Sequence, residues 1–354
     1  MNKKLLLITI TLCLFQVVVA QITIRYELNL PRGGDRIVMQ QVTCLPVGNG
    51  GMNSAWDMSN CEVLTGDHII EYSGDSLQHF IMSEDLEMQH IRLSGDSLLL
   101  DRRENRLSNI RYSKATLLIK YPLYYGDSIT STFEGDGTYC GDHHVWVSGD
   151  QTLHADGTGV LILSESDTLR NVLRVKRVTN QMMNMSLDTI HLDPAQWKQE
   201  RIIRYDWYVS GYRYPLFTSI TRNTLAGDSV IATRQSAYRQ LPFDAESIVD
   251  PQNELLRKTI AEQPAKSVSS DKCPIDYELT VNQGILNIHY SSESACQGTF
   301  MVTSVSGVVY KKSSFTCPSQ EVTDMRIDCS GLLRGEYLFS VIVNGKVHTK
   351  IITI

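Results

Sequence analysis

The sequence predicts an all-β protein, in which a large antiparallel β body is followed by a small β-sandwich. Short apolar runs such as Thr116–Ile119, Val160–Leu163 and Val172–Val178 recur along the 354-residue chain and are separated by turn signals. Many of these signals are Gly-Asp pairs, in which glycine permits a positive φ and aspartate bonds the backbone beyond it. Many short strands with regularly spaced turns are typical of antiparallel sandwiches and barrel-like sheets.

Residues 1–20 have the features of an export signal. Lys3 and Lys4 precede an apolar run from Leu5 to Val19, and Ala20 supplies a small residue at the expected cleavage site. No later segment approaches the roughly 18 apolar residues that a membrane helix requires, so no transmembrane segment is expected. The sequence therefore predicts a protein that is secreted or displayed on the outer cell surface.

Residues 21–246 are predicted to form the β-rich body, either as one domain or as two. A Gly-rich segment near its start, Gly50–Asp57, carries one aromatic residue, Trp56. Its two leading glycines permit a tight turn, and Trp56 is expected to cover the edge of a core. The Gly-Asp pairs of the body begin at Gly66, Gly74, Gly95, Gly126, Gly135, Gly141, Gly149 and Gly227.

Residues 247–271 are predicted to form a short helix and a linker. Asp250 is expected to cap the helix and Pro251 to be its first residue, and the polar segment Gln263–Asp271 reads as the linker. Residues 272–354 form a second β module with seven candidate strands, enough for an immunoglobulin-like sandwich. Within it, Asn344-Gly345 between two alternating runs predicts a hairpin.

Charge and motif content exclude several classes of function. The net charge is −6, and it becomes −8 when Lys3 and Lys4 are removed with the signal. No run of Lys and Arg offsets this charge, so nucleic-acid binding is not expected. The sequence contains no Gly-x-Ser-x-Gly elbow, no His-Glu-x-x-His and no phosphate-cradling loop. No catalytic residue, metal ligand or cofactor is therefore assigned.

Seven cysteines remain after the signal, and disulfides are the default in an oxidising compartment. Cys44 and Cys61 are placed to close the Gly-rich loop between them, which is worth about 3 kcal/mol in the chain-entropy model. The four C-terminal cysteines allow three pairings. Because the number is odd, at least one cysteine stays unpaired within the chain, and Cys140 is the candidate. The C-terminal cysteines are Cys273, Cys296, Cys317 and Cys329.

The last quarter of the chain resembles a known family. The run Ile327–Tyr337, followed by Asn344-Gly345-Lys346, is similar to the C-terminal sorting domain of type IX secretion cargo. Cys273-Pro274-Ile275 stands where that family often has Pro-Asn-Pro. The resemblance implies that the export machinery is a partner of the protein through this domain.

Two segments of the body are similar to uncharacterised secreted proteins that often carry such a domain. One is the Gly-Gly-x-Asn-x-x-Trp-Asp pattern of Gly50–Asp57. The other joins Ala155–Leu161 to Asn171–Lys176. This resemblance implies a secreted β protein and no particular activity.

A cluster of aromatic residues suggests a binding surface. Tyr205 and Trp207 alternate on one face of a predicted strand, and exposed rings of this kind stack on sugars. The alternative is cross-strand packing in the core. The possible partners are therefore a glycan or another surface protein.

Another recurrent pattern is the triplet Asp-Ser/Thr-aliphatic. It resembles the acceptor for O-glycosylation in bacteria that use type IX export. The alternative is that a turn followed by a strand produces the triplet by itself. The candidate hydroxyls belong to Ser76, Ser97, Ser128, Thr168, Thr189 and Ser229.

The sequence favours a non-enzymatic binding or structural protein that carries a C-terminal sorting or anchoring module. The alternative is a secreted hydrolase acting on glycan or peptide, with its site near Asp142, His144 and Asp156. A metal site is disfavoured, because adjacent residues on a strand, such as His143 and His144, point to opposite faces.

Overall fold

The computed structural model describes residues 22–74, 78–164, 166–187, 197–262, 273–304 and 307–354. Strands make up 66% of it and helices 6%, which confirms the predicted all-β fold. The predicted signal and the predicted linker lie outside the described residues. The helices that the structure describes are α1 (Tyr26–Asn29), α2 (Pro242–Ala245) and α3 (Pro251–Glu262).

Helix α3 begins at Pro251, as the sequence predicts. Proline fits the first helical turn because its missing N–H would have no partner there. The Asp250 carboxylate accepts a bond from the Asn253 backbone N–H at 3.5 Å, which is the capping role expected of it.

The body is a closed antiparallel barrel. The ring has the strand order β2, β4–β8, β10–β15, and it closes where β15 pairs with β2. The bounds of these strands are given at the end of this paragraph. Strand β3 leaves the ring and pairs in parallel with β11. The strands are β1 (Thr23–Ile24), β2 (Arg36–Val42), β3 (Gly51–Asp57), β4 (Val63–Ser73), β5 (His79–Glu84), β6 (Glu87–Ser94), β7 (Ser97–Glu104), β8 (Ser108–Lys120), β9 (Leu123–Tyr124), β10 (Ser128–Tyr139), β11 (His143–Ile162), β12 (Thr168–Ser186), β13 (Lys198–Val209), β14 (Phe217–Ala226) and β15 (Ser229–Arg239).

The Gly-Asp pairs are turns at some positions and not at others. Gly95 and Gly227, each with φ of 60°, form the turns that join β6 to β7 and β14 to β15. The turn prediction is wrong at Gly66, Gly135 and Gly149, which lie inside β4, β10 and β11. A Cβ on Gly149 would come within 2.1 Å of the Asn180 carbonyl oxygen on β12, so glycine is required here by a close approach between strands.

The barrel interior is apolar on one side. Side chains from β5–β8 and β10–β12 pack together there with Ile24 and Leu30 from the N-terminal segment. The Tyr121 hydroxyl donates to the Asn29 carbonyl at 3.1 Å and ties α1 to this core. Polar side chains lie on the opposite side of the interior, which is described with the candidate site.

The C-terminal module has the seven strands that the sequence predicts, in two sheets. One sheet has the order β16-β17-β20, and in the other β18 pairs with β19 and β21 while β21 pairs with β22. Side chains from both sheets form one core, in which Tyr290 of the first sheet packs against Phe300 and Phe315 of the second. The strands are β16 (Asp276–Asn282), β17 (Ile285–Ser291), β18 (Cys296–Thr303), β19 (Val309–Cys317), β20 (Thr323–Asp328), β21 (Glu336–Val343) and β22 (Lys346–Thr353).

The module is joined to the body along β3. The Ala55 N–H of β3 donates to the Gly345 carbonyl in the β21–β22 turn at 2.7 Å. Met301 and Val347 of the module pack with Val160 and Ile162 of β11 in a buried apolar cluster. Strand β3 therefore lies between the barrel and the module and contacts both.

Candidate functional site

The two body segments singled out in the sequence meet at a buried arginine. The Arg174 guanidinium forms a two-pronged ion pair with the Asp156 carboxylate, at 2.8 and 2.9 Å. It also donates to the carbonyls of Val47 and Gly48, at 2.7 and 3.1 Å. Its charge is therefore satisfied by groups that hold the Gly-rich loop against β11 and β12.

Aromatic rings enclose the same guanidinium. Its central carbon lies 5.2 Å from the ring centre of Trp56 and 4.9 Å from that of Tyr205. A Cβ on Gly159 would fall 1.8 Å from the Ser54 carbonyl oxygen, so only glycine lets β3 approach β11 this closely. We define the Arg174 cluster as Arg174, Asp156, Trp56 and Tyr205. Its function is structural, because it positions β3 and the loop before it.

The aromatic pair proposed for sugar stacking belongs to the region around this cluster. Trp207 is 0% exposed and packs edge-on against Trp56 and Phe217. No face of its ring is open to a sugar, so its contacts are those of the alternative interpretation, packing in the core. Tyr205 is half-buried beneath Arg174.

The residues of the hydrolase hypothesis do not lie together. His144 and Asp156 are on the single strand β11, twelve positions apart, which is on the order of 40 Å along the strand. Asp142 pairs with the neighbouring His143 at 2.7 Å in an exposed turn, and Asp156 is held by Arg174. Within the described residues, no group of three or more His, Cys, Asp or Glu side chains could hold a metal ion.

The candidate O-glycosylation hydroxyls differ in accessibility. Ser128 and Ser229 are exposed, and Ser97 is half-buried with its hydroxyl donating to Asp96 at 2.8 Å. Thr168 is only 3% exposed, because the C-terminal module packs over it, and a Cβ on Gly307 would lie 2.1 Å from its carbonyl oxygen. The remaining candidates, Ser76 and Thr189, lie outside the described residues.

Seven cysteines lie among the described residues; all carry free thiols, and no two of them are at disulfide distance. Cys296 and Cys317 are directly opposite across β18 and β19. The Thr43 N–H donates to the Glu62 carbonyl at 2.9 Å, and this antiparallel register places the next residues along, Cys44 and Cys61, opposite each other. Cys140, the predicted unpaired thiol, is exposed.

A second polar group lies inside the barrel, and sequence reasoning missed it. Arg177 on β12 and Arg204 on β13 are directly opposite each other in the ladder. The Arg204 Nε donates to both oxygens of Asp206, at 3.0 and 2.9 Å, and the Thr218 hydroxyl donates to the same carboxylate at 2.7 Å. Arg204 also interacts electrostatically with Glu84 at the end of β5, across the ring, so these side chains point into the interior.

Two tyrosines complete this group, which we call the polar interior: Tyr72, Glu84, Arg177, Arg204, Asp206 and Tyr208. Burial is the main reason that the pKa values of Tyr72 and Tyr208 are raised well above the ordinary value, so both hydroxyls stay protonated donors. Burial also lowers the pKa of Arg177, and the neighbouring Arg204 charge lowers it further. Burial alone would lower the pKa of Arg204, but the Asp206 and Glu84 charges outweigh it and raise that pKa.

A signal for the polar interior is present in the sequence of β13. Arg204, Asp206 and Tyr208 alternate with Tyr205 and Trp207, so one face is charged and the other aromatic. Such a strand is ordinarily placed with its aromatic face in the core. Here both faces are covered, since β3 and the Gly-rich loop lie over the aromatic face.

No protein-family model matches this chain, and no curated protein matches it. Among the described residues, no helix is long and apolar enough to cross a membrane.

Proposed function

We propose that this chain is an exported, non-enzymatic binding or structural protein of the cell surface or medium, with a C-terminal sorting or anchoring module. The observation that best supports this proposal is the structure of the C-terminal module. Its seven strands form a two-sheet sandwich, and the run Ile327–Tyr337 that resembles type IX sorting domains connects β20 to β21. The loop in this run is open to a partner, since Leu333 is 84% exposed.

The proposed partner of the module is the export machinery, and the body is proposed to act outside the cell on a glycan or on another surface protein. Among the candidate O-glycosylation residues that the structure describes, Ser128 and Ser229 are exposed. The rival function, hydrolysis, is disfavoured because His144 and Asp156 are too far apart along β11 to share a substrate bond.

Export would also bring the thiols into an oxidising compartment. There, the Cys44–Cys61 pair predicted from the sequence is proposed to form, and the opposed Cys296 and Cys317 are proposed as the second disulfide. This choice among the three C-terminal pairings is supported by the register of β18 and β19.

The test of the sorting role is a reporter fusion. A periplasmically exported fluorescent protein carrying residues 21–354 at its C-terminus, so that the module keeps its contacts with the barrel, is expressed in a host with type IX export and in the same host lacking it. We expect surface or medium fluorescence only in the first host. A matched fusion carrying Leu333→Asp should be retained if the exposed loop contacts the machinery. Retention of the unmodified fusion in the periplasm of both hosts would contradict the proposal.

A further inference from the structure

The polar interior contains two arginines and two acids, but the two arginines lie side by side and only Arg204 is bonded to an acid. Arg177 and Arg204 are directly opposed across β12 and β13, and like charges in this arrangement repel each other. The acid beside them, Asp206, is already bonded by Arg204 and Thr218. Glu84 accepts a bond from His68 Nε2 at 2.9 Å. Arg177 has no ion pair of its own among the described residues.

Several donors of this group have no protein partner in the part of the chain that the structure describes. Arg204 uses only its Nε on Asp206, which leaves both Nη groups to donate. The hydroxyls of Tyr72 and Tyr208 are likewise without a protein acceptor, yet neither they nor the Arg204 Nη groups are sealed from solvent. Arg177 donates through Nη2 to the Leu118 carbonyl, and its Nε is buried without a partner.

The number of strands and the solvent exposure of the side chains indicate that solvent reaches this part of the interior from one end of the barrel. The ring contains more strands than the roughly eight that interior side chains alone fill. Solvent exposure falls along the interior: Arg222 is exposed, the side chains of Glu87 and Arg204 keep 26% and 24% of their surface, and that of Asp206 keeps 6%. Arg222 and Glu87 therefore mark the mouth and Asp206 the floor.

We propose that the polar interior binds a small solute bearing an oxyanion, either a carboxylate or a phosphate. Arg177 and Arg204 would share the anion, which removes their repulsion, and the hydroxyls of Tyr72 and Tyr208 donate to its remaining oxygens. Guanidinium groups suit this role because their planar N–H donors match the geometry of carboxylate and phosphate. The site is distinct from the Arg174 cluster, whose charge is already satisfied.

The inference rests on the binding role proposed above and specifies the class of ligand. The two proposals are tested separately, because anion binding is measured on the purified chain and export is measured by a reporter. Inorganic phosphate, acetate and neutral acetamide are titrated calorimetrically into the full chain in low-chloride buffer. Arg177→Gln removes one charge of the pair. Arg201→Gln is the matched control, because Arg201 is exposed and on the opposite face of β13.

We expect saturable binding of phosphate or acetate but not of acetamide. Arg177→Gln should weaken it about 10- to 100-fold, the loss that one charge-assisted hydrogen bond brings, and Arg201→Gln should leave it unchanged. Without anion, Arg177→Gln should unfold at the same or a higher urea concentration than the wild type, because it relieves the repulsion. If Arg177 had only a structural role, Arg177→Gln should unfold at a lower urea concentration than the wild type.

A second, smaller substitution tests the same site in case Arg177→Gln does not fold. Tyr208→Phe removes only the hydroxyl and is expected to weaken anion binding several-fold with the fold intact. The proposal is overturned if the wild type binds neither anion, or if both Arg177→Gln and Tyr208→Phe bind as tightly as the wild type.

Discussion

At the residue scale, Arg174 shows how a buried charge is made compatible with a β core. Its side chain is 2% exposed and touches a carboxylate, two backbone carbonyls and the faces of aromatic rings. Asp156 alone would neutralise the charge, but the carbonyls of Val47 and Gly48 tie the same group to the loop before β3. Arg174 is therefore both a buried, neutralised charge and the side chain that positions β3.

Replacing the Arg174 guanidinium with an ammonium group should lower the free energy of unfolding. Arg174→Lys keeps the charge but loses the planar set of donors, so bonds to Asp156 or to the loop carbonyls are left unmade in a buried site. We expect the free energy of unfolding in urea to fall by about 3 kcal/mol. Arg201→Lys, at an exposed position near the start of β13, is the control and should change it by less than about 0.5 kcal/mol. Equal effects of the two substitutions would mean that the Arg174 contacts are not specific.

At the element scale, the sequence predicts those features that depend on neighbouring residues alone. Asn344 and Gly345 adopt φ of 52° and 72°, because both residue types tolerate the left-handed region that a tight hairpin requires. Gly149 could not be assigned correctly, since the strand that approaches it, β12, comes from a later part of the chain. The polar interior was missed for the same kind of reason: the outer face of β13 is covered by β3, which is distant in sequence.

The opposed thiols give an element-scale prediction. Incubating the purified chain with glutathione disulfide should join Cys296 to Cys317, as the two thiols lose two protons and two electrons and the oxidant becomes two glutathione thiols. Directly opposed residues on antiparallel strands have Cα atoms at a separation that a disulfide tolerates. The bond should raise the free energy of unfolding by about 3 kcal/mol in the chain-entropy model.

Peptide mapping after blocking free thiols with iodoacetamide identifies the pairing. Cys296–Cys317 and Cys44–Cys61 should appear as linked peptides, and Cys140, which is exposed, should be alkylated. The variant Cys140→Ser should give the same two linked peptides, which controls for exchange during oxidation. A dominant Cys273–Cys296 link would contradict the pairing drawn from the strand register.

At the scale of the whole molecule, the C-terminal module is integrated with the barrel. Lys312 of β19 pairs with Asp57 of β3 at 2.8 Å. Arg170 of β12 reaches three hydroxyls of the module, those of Thr303, Ser340 and Thr349, at 3.3 to 3.4 Å. Burial at this junction lowers the pKa of Arg170 to about 10. Removal of the module would leave this polar contact and the apolar cluster around Val160 open to water.

The junction implies that barrel and module unfold together. Val347 is 6% exposed and packs with Val160 and Ile162 of the barrel, so Val347→Asp places an unpaired charge in this interface. We expect calorimetry to show one cooperative transition for the wild type and two for Val347→Asp, with a loss of about 3 kcal/mol. Val322→Asp is the matched control, since Val322 is 75% exposed on the same module and should leave a single transition. Two transitions in the wild type would instead mean that the module is energetically independent and that the β3 contacts contribute little to stability.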